Sequence, residues 1–160
     1  MDIYEFAMQM ELDGRNFYLD LAGKANDEGI QNILEMLAAD EMKHHNILQE
    51  MKIKRPSMAK TKVLDDARSI FREMRYTGED KHFPTSQMDL YKKAQEIEEK
   101  SRVFYTEKEK EVEKPFQKKL FRRIAEEEKK HYVLLENIIN LLSRPKQWLE
   151  NAEWHHLEEY

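Results

Sequence analysis

The chain contains one pattern twice. Displaced by 87 positions, so that Met1 lies over Met88, residues 1–18 (MDIYEFAMQMELDGRNFY) match residues 88–105 (MDLYKKAQEIEEKSRVFY) at Met, Asp, Tyr, Ala, Glu, Arg, Phe and Tyr. The same displacement puts ADEMKHHNIL (39–48) on EEEKKHYVLL (126–135), pairing Glu41 with Glu128, His44 with His131 and Leu48 with Leu135. Each copy carries two segments of helical periodicity, so one helical hairpin is used twice.

Composition agrees with helices. Charged residues of both signs make up 37% of the 160 residues, while Gly and Pro number four each, too few for a turn-rich all-β fold. The punctuation predicts an N-cap at Asp2, a first helix to the Gly23 region, and a second ending before Arg55-Pro56. A short helix is expected around VLDDARSIFREM, followed by a break at Gly78 and Pro84. Ser86 and Asp89 read as a capping box opening a third helix to about Val112; Pro115 opens a fourth to about Leu142 and Pro145 a short fifth. The expectation is a single all-α domain over 1–160, a four-helix bundle. Its parts are a first hairpin (1–54), a long crossover between helices two and three (55–87), a second hairpin (88–142) and a short C-terminal helix (143–160).

Writing each helix's apolar stripe at i+3, i+4 and i+7 exposes polar intruders. The second helix gives Leu34, Leu37, Glu41, His44, Leu48, and the fourth Phe121, Ile124, Glu128, His131, Leu135. The first gives Ala7, Glu11, Gly14, Tyr18, Leu21, and the third Ala94, Glu98, Ser101, Tyr105. Every stripe carries a carboxylate, and a buried carboxylate must be neutralised by a proton, a cationic side chain or a metal. Four carboxylates would converge with two imidazoles, the repeated cations nearby being only Arg15 and Arg102. Two divalent ions match that charge, with one His per ion; a Glu from each of two helices and a Glu-x-x-His from each of the other two is the arrangement of carboxylate-bridged dimetal bundles. The candidate metal residues are therefore Glu11, Glu41, His44, Glu98, Glu128 and His131. Imidazole and carboxylate without thiolate suit iron, manganese or zinc. Asp40 and Glu127, directly before the paired glutamates, are placed to bond the far nitrogen of a histidine, each able to serve the other half's. Tyr18 and Tyr105 lie two turns beyond Glu11 and Glu98, as core aromatics or as neighbours of the cluster.

Spacing alone is weak support, since Glu-x-x-His occurs four times. Glu79 with His82 falls in the broken connection and reads as solvated loop. Glu153 with His156 belongs to the aromatic tail, where Trp148, Leu149 and Ala152 suggest a packing face. His45 points about 100° away from His44. The basic stretch KIKRPSMAKTK (52–62) reads as a solvated helix end with its lysines near the C-terminus. With no cysteine, disulfides, thiolate zinc sites and Cys-ligated iron are excluded. A net charge of −5 argues against nucleic acid. No apolar run approaches the roughly 18 residues of a membrane span, and the N-terminus lacks the pattern of a secretion signal, so a cytoplasmic location without membrane partners is expected.

These residues resemble the rubrerythrin-type members of the ferritin-like di-iron family. MELDGRNFY and EIEEKSRVFY in helices one and three, with LAADEMKHH and IAEEEKKH in helices two and four, carry the resemblance over most of 1–142. It implies that Glu41 and Glu128 bridge two irons, that His44 and His131 bind one each, and that Glu11 and Glu98 are terminal carboxylates. It further implies an oxidoreductase of the peroxidase type, protecting against oxidative stress. Such an enzyme reduces hydrogen peroxide or dioxygen with electrons from a rubredoxin-type carrier. A homodimer is implied as well. Two departures stand out. Without cysteine the chain holds no rubredoxin domain, so a separate protein must supply the electrons. The second helix-three glutamate of the family is missing, since Gln95 and Ser101 lie three residues either side of Glu98 and Glu96 and Glu99 project off the stripe. Iron sequestration with a ferroxidase step, or a structural zinc bundle, remain the alternatives.

Overall fold

The computed structural model describes residues 2–76 and 85–151. Among the described residues six α-helices follow one another: α1 (Ile3–Lys24), α2 (Glu28–Met51), α3 (Val63–Tyr76), α4 (Met88–Lys108), α5 (Pro115–Ser143) and α6 (Pro145–Asn151). The description excludes Glu79, His82, Ala152, Glu153 and His156, so nothing is assigned to either of those Glu-x-x-His pairs.

Local chemistry explains most ends. The Asp2 carboxylate accepts from the Glu5 amide at 2.8 Å and opens α1. Asp27 does the same for Ile30 at 3.1 Å and opens α2. Pro115 sits in the first turn of α5, where a missing N–H costs nothing. Two sequence expectations fail. Ser86 does not cap α4, because Thr85–Gln87 form one turn of 3₁₀ helix running straight into it and Gln87, already in the right-handed helical region, occupies the cap position without a side-chain bond. Instead the Gln87 side-chain Nε2 donates to the Lys24 carbonyl at 2.7 Å, tying the start of α4 to the end of α1. The same helix stops at Lys108, short of Val112. Lys118 of α5 takes the Glu109 carbonyl at 3.1 Å and Arg122 takes its carboxylate, drawing the chain into the turn toward α5.

The helices form an all-α bundle in which α1 pairs chiefly with α2 and α4 with α5, joined by the crossover that contains α3. Every residue of the four stripes is buried. The apolar core has two parts. One gathers Tyr18, Leu21, Leu34, Leu37, Tyr91, Ala94, Leu134 and Leu135 with α3 and α6. The other gathers Ala7, Leu48, Met51, Tyr105, Phe121 and Ile124 at the opposite end. Each long helix thus runs from one apolar cluster to the other, and its buried stripe turns polar between them. Trp148 of α6 is buried against Phe71 of α3, ring centroids 4.9 Å apart, so its own chain covers it and no second chain is needed for that purpose. No helix among the described residues is long and apolar enough to cross a membrane.

Candidate metal centre

Between the two apolar clusters the bundle brings together Glu11 from α1, Glu41 and His44 from α2, Glu98 from α4, and Glu128 and His131 from α5, none more than 3% exposed. The i, i+3 spacing puts each Glu-His pair on one helix face. Glu11, Glu41, His44 and Glu128 can each turn one donor atom into a group spanning no more than 4.8 Å, and so can Glu41, Glu98, Glu128 and His131. Glu41 and Glu128 belong to both groups. The two imidazole rings lie nearly parallel, 6.1 Å apart.

A first layer of hydrogen bonds surrounds these six, and it crosses between the halves. The Tyr18 hydroxyl donates to Glu98, and the Tyr105 hydroxyl to Glu11 at 2.5 Å. Behind the rings, His44 Nε2 is 2.9 Å from Glu127 and His131 Nε2 is 2.8 Å from Asp40. Burial opposes the ionisation of these two acids. Nevertheless the His131 and Thr61 hydrogen bonds hold Asp40 at about 2, and those of His44 and Lys43 hold Glu127 at about 2. Ionised carboxylates only accept, so both Nε2 atoms carry the proton and both Nδ1 atoms face the cluster.

Inside, hydrogen bonding fails. Glu11 Oε2, His44 Nδ1, Glu98 Oε2 and Glu128 Oε1 are buried without a partner. His44 Nδ1 lies 3.0 Å from Glu128 and 3.4 Å from Glu11, in close approach without hydrogen-bond alignment. His131 Nδ1, by contrast, is hydrogen-bonded to Glu41 at 3.1 Å and to Glu98 at 3.3 Å. Burial, then the neighbouring carboxylates, pushes Glu41 and Glu128 well above the ordinary range. Glu11 and Glu98 go the other way: burial raises them, but the charges of His44 and His131 outweigh it. Burial disfavours the imidazolium forms, yet the surrounding carboxylates raise both histidines well above their usual value. Neither arginine relieves the crowding, since Arg15 turns to Asn16 and the Met42 sulfur while Arg102 pairs with Glu99. Three orphaned carboxylate oxygens and an orphaned imidazole nitrogen pointing at one another, with no lysine or arginine among them, are the donor set of a cation site. The cluster fits a bound metal.

The comparison with known families now bears on this centre. A family model described as rubrerythrin matches residues 2–139. The chain belongs to the rubrerythrin family. In fold it is similar to a solved structure of a hypothetical protein from Pyrococcus furiosus, at 23% identity over 88% of each chain with a TM-score of 0.65. No curated protein matches the sequence significantly.

Within this rubrerythrin-family bundle three contributors were not read from the sequence. Lys43 Nζ lies 3.0 Å from Glu127 and 3.8 Å from Asp40, and Thr61 bonds both acids from the crossover. A Cβ on Gly14 would stand 3.2 Å from Glu41 Oε2, so the absent side chain is room for that carboxylate. Lys43 was findable, three residues from Asp40 on one face. No periodicity announces Thr61. Gln95, itself buried, spends its amide on α5, donating to Glu136 at 2.7 Å and to the Tyr132 carbonyl, and Glu96 and Glu99 are exposed, so Glu98 alone represents α4 in the cluster. The basic stretch is only partly a solvated end, since Lys52 pairs with Asp2 and Glu5 and Arg55 lies over the Phe116 ring.

Proposed function

We propose that the cluster holds two metal ions, iron by preference, and that the protein is an oxidoreductase reducing hydrogen peroxide or dioxygen with electrons from a separate rubredoxin-type carrier. Four buried carboxylates and two imidazoles converging on one point, with Glu11 Oε2, His44 Nδ1, Glu98 Oε2 and Glu128 Oε1 left without a partner, carry this reading. Glu41 and Glu128, common to both donor groups, would bridge the ions; Glu11 with His44 and Glu98 with His131 would complete one each. Two ferrous ions held there would supply the electron pair that cleaves an O–O bond, each giving one electron.

The chain's own residues supply the rest. Tyr18 and Tyr105 keep their protons, since burial and then the adjacent carboxylates raise both phenols well above 10. As donors they hold one oxygen of Glu98 and one of Glu11, leaving the other oxygen of each toward the centre. Glu127 and Asp40 fix the imidazole tautomers. The apolar clusters on either side exclude water and strengthen every electrostatic contact between them.

A second reading, iron handling with a single ferroxidase step, is favoured by α4 giving the cluster one carboxylate, Glu98, where Gln95 bonds Glu136 instead. Homodimerisation stays a proposal, supported by the exposed apolar side chains Phe6 and Val103 on α1 and α4. Metal analysis and an absorption spectrum of protein from its native host test the site. Sustained peroxide turnover with a reductant supports the enzyme, stoichiometric oxidation with iron retained supports handling, and redox-silent zinc overturns both.

A further inference from the structure

The connection leaving α2 does more than travel to α3. At its end the Thr61 amide donates to Glu127 Oε2 at 3.0 Å and the Thr61 hydroxyl donates to Asp40 Oδ2. Two residues earlier the Ala59 carbonyl accepts from Lys43 Nζ at 3.0 Å, and the same ammonium reaches Glu127. One crossover residue therefore holds both carboxylates that stand behind the two histidines. The repeat does not reproduce it. The position 87 residues after Thr61 is Trp148, which packs on Phe71. A centre built with two-fold regularity is thus held from one side by a single residue using two chemically different donors.

We propose that Thr61 is a positioning residue that orients both histidines through the acids behind them, acting on Asp40 and His131 through its hydroxyl and on Glu127 and His44 through its amide. A side-chain change consequently reaches one half of the centre and spares the other. Carboxylates behind metal-binding histidines alter affinity by about 10–100-fold when removed, and loss of one donor to such a carboxylate belongs at the lower end. The inference rests on the dimetal reading.

The test is anaerobic titration of metal-free protein with Co²⁺, read by absorption and by the two exchangeable imidazole N–H signals shifted by the bound ions. Thr61→Val keeps the amide and the shape but loses the hydroxyl. It is expected to weaken one of two Co²⁺ ions by about tenfold and to speed solvent exchange of one N–H signal, with the second ion and signal unchanged. Thr61→Ser restores both. In an Asp40→Asn background, Thr61→Val adds less than about twofold, because the two changes break one chain of contacts. Equal weakening of both ions, no weakening, or the full loss persisting beside Asp40→Asn overturns the positioning role. Binding of fewer than two Co²⁺ by the unaltered protein overturns the dimetal reading itself, and the inference with it.

Discussion

Loading the metal-free protein with divalent ions should expel protons in a number set by the cluster's electrostatics. Burial and the neighbouring carboxylates favour the protonated forms of Glu41 and Glu128, the surrounding carboxylates favour imidazolium at His44 and His131 against burial, and the histidine charges favour the carboxylates of Glu11 and Glu98. With each group in its favoured form the six side chains carry no net charge. Binding needs four carboxylates and two neutral imidazoles, so two ions displace about four protons per chain. The direction with pH follows: protons compete with metal, and affinity per ion falls by up to about a hundredfold for each unit of acidification, roughly 2.7 kcal/mol at the limit of two protons per ion. Titration with Zn²⁺ in weakly buffered solution with a pH indicator counts the protons, and calorimetry in two buffers of different ionisation enthalpy confirms the count. Glu41→Gln should lower the count by about one, since its amide carries no proton to displace. Release of two protons or fewer from the unaltered protein refutes this electrostatic description, because it would mean that the carboxylates are ionised or the imidazoles neutral before metal arrives.

Gly14→Ala removes the backbone freedom of a helix-interior glycine, worth about 0.5–1 kcal/mol, so the metal-free melting temperature should rise by about 1–4 °C. Metal affinity should fall because the new Cβ displaces Glu41; a lower melting temperature would show that the carboxylate cannot swing aside. Tyr105→Phe removes a donor to an ionised carboxylate, worth about 1.5 kcal/mol or more, and should weaken the ion beside Glu11 and His44 by at least about tenfold. Tyr18→Phe should do the same beside Glu98 and His131, and isotherms that do not separate into two affected sites would contradict the crossed pairing. Trp148→Ala should cost about 3–5 kcal/mol and lower the melting temperature by about 10 °C at unchanged metal content; a neutral result would mean that α6 contributes little to the α3 face.

Much of this molecule is written in local spacing. Glu41 with His44, and Glu128 with His131, must share a helix face whatever surrounds them, because three residues make nearly one turn. The repeat then requires two such faces, and the stripes that hold Glu11 and Glu98 between apolar residues are the ones buried in the bundle. What periodicity leaves open is how far each helix slides and rotates against its neighbours. That freedom decided that Tyr18 meets Glu98 and Tyr105 meets Glu11, that the arginines turn away, and that Gln95 faces Glu136. It also let a 3₁₀ turn displace the cap expected at Ser86. Thr61 marks the limit most sharply. The residue lies in a connection without period, 21 positions from Asp40 and 66 from Glu127, and only packing of the crossover across α2 and α5 brings its two donors to both acids. Sequence alone determined which side chains share a face, since i+3 and i+4 neighbours are bound by the helix itself. The tertiary structure decided which faces meet, because contacts between elements depend on axial shift and rotation that no local repeat encodes.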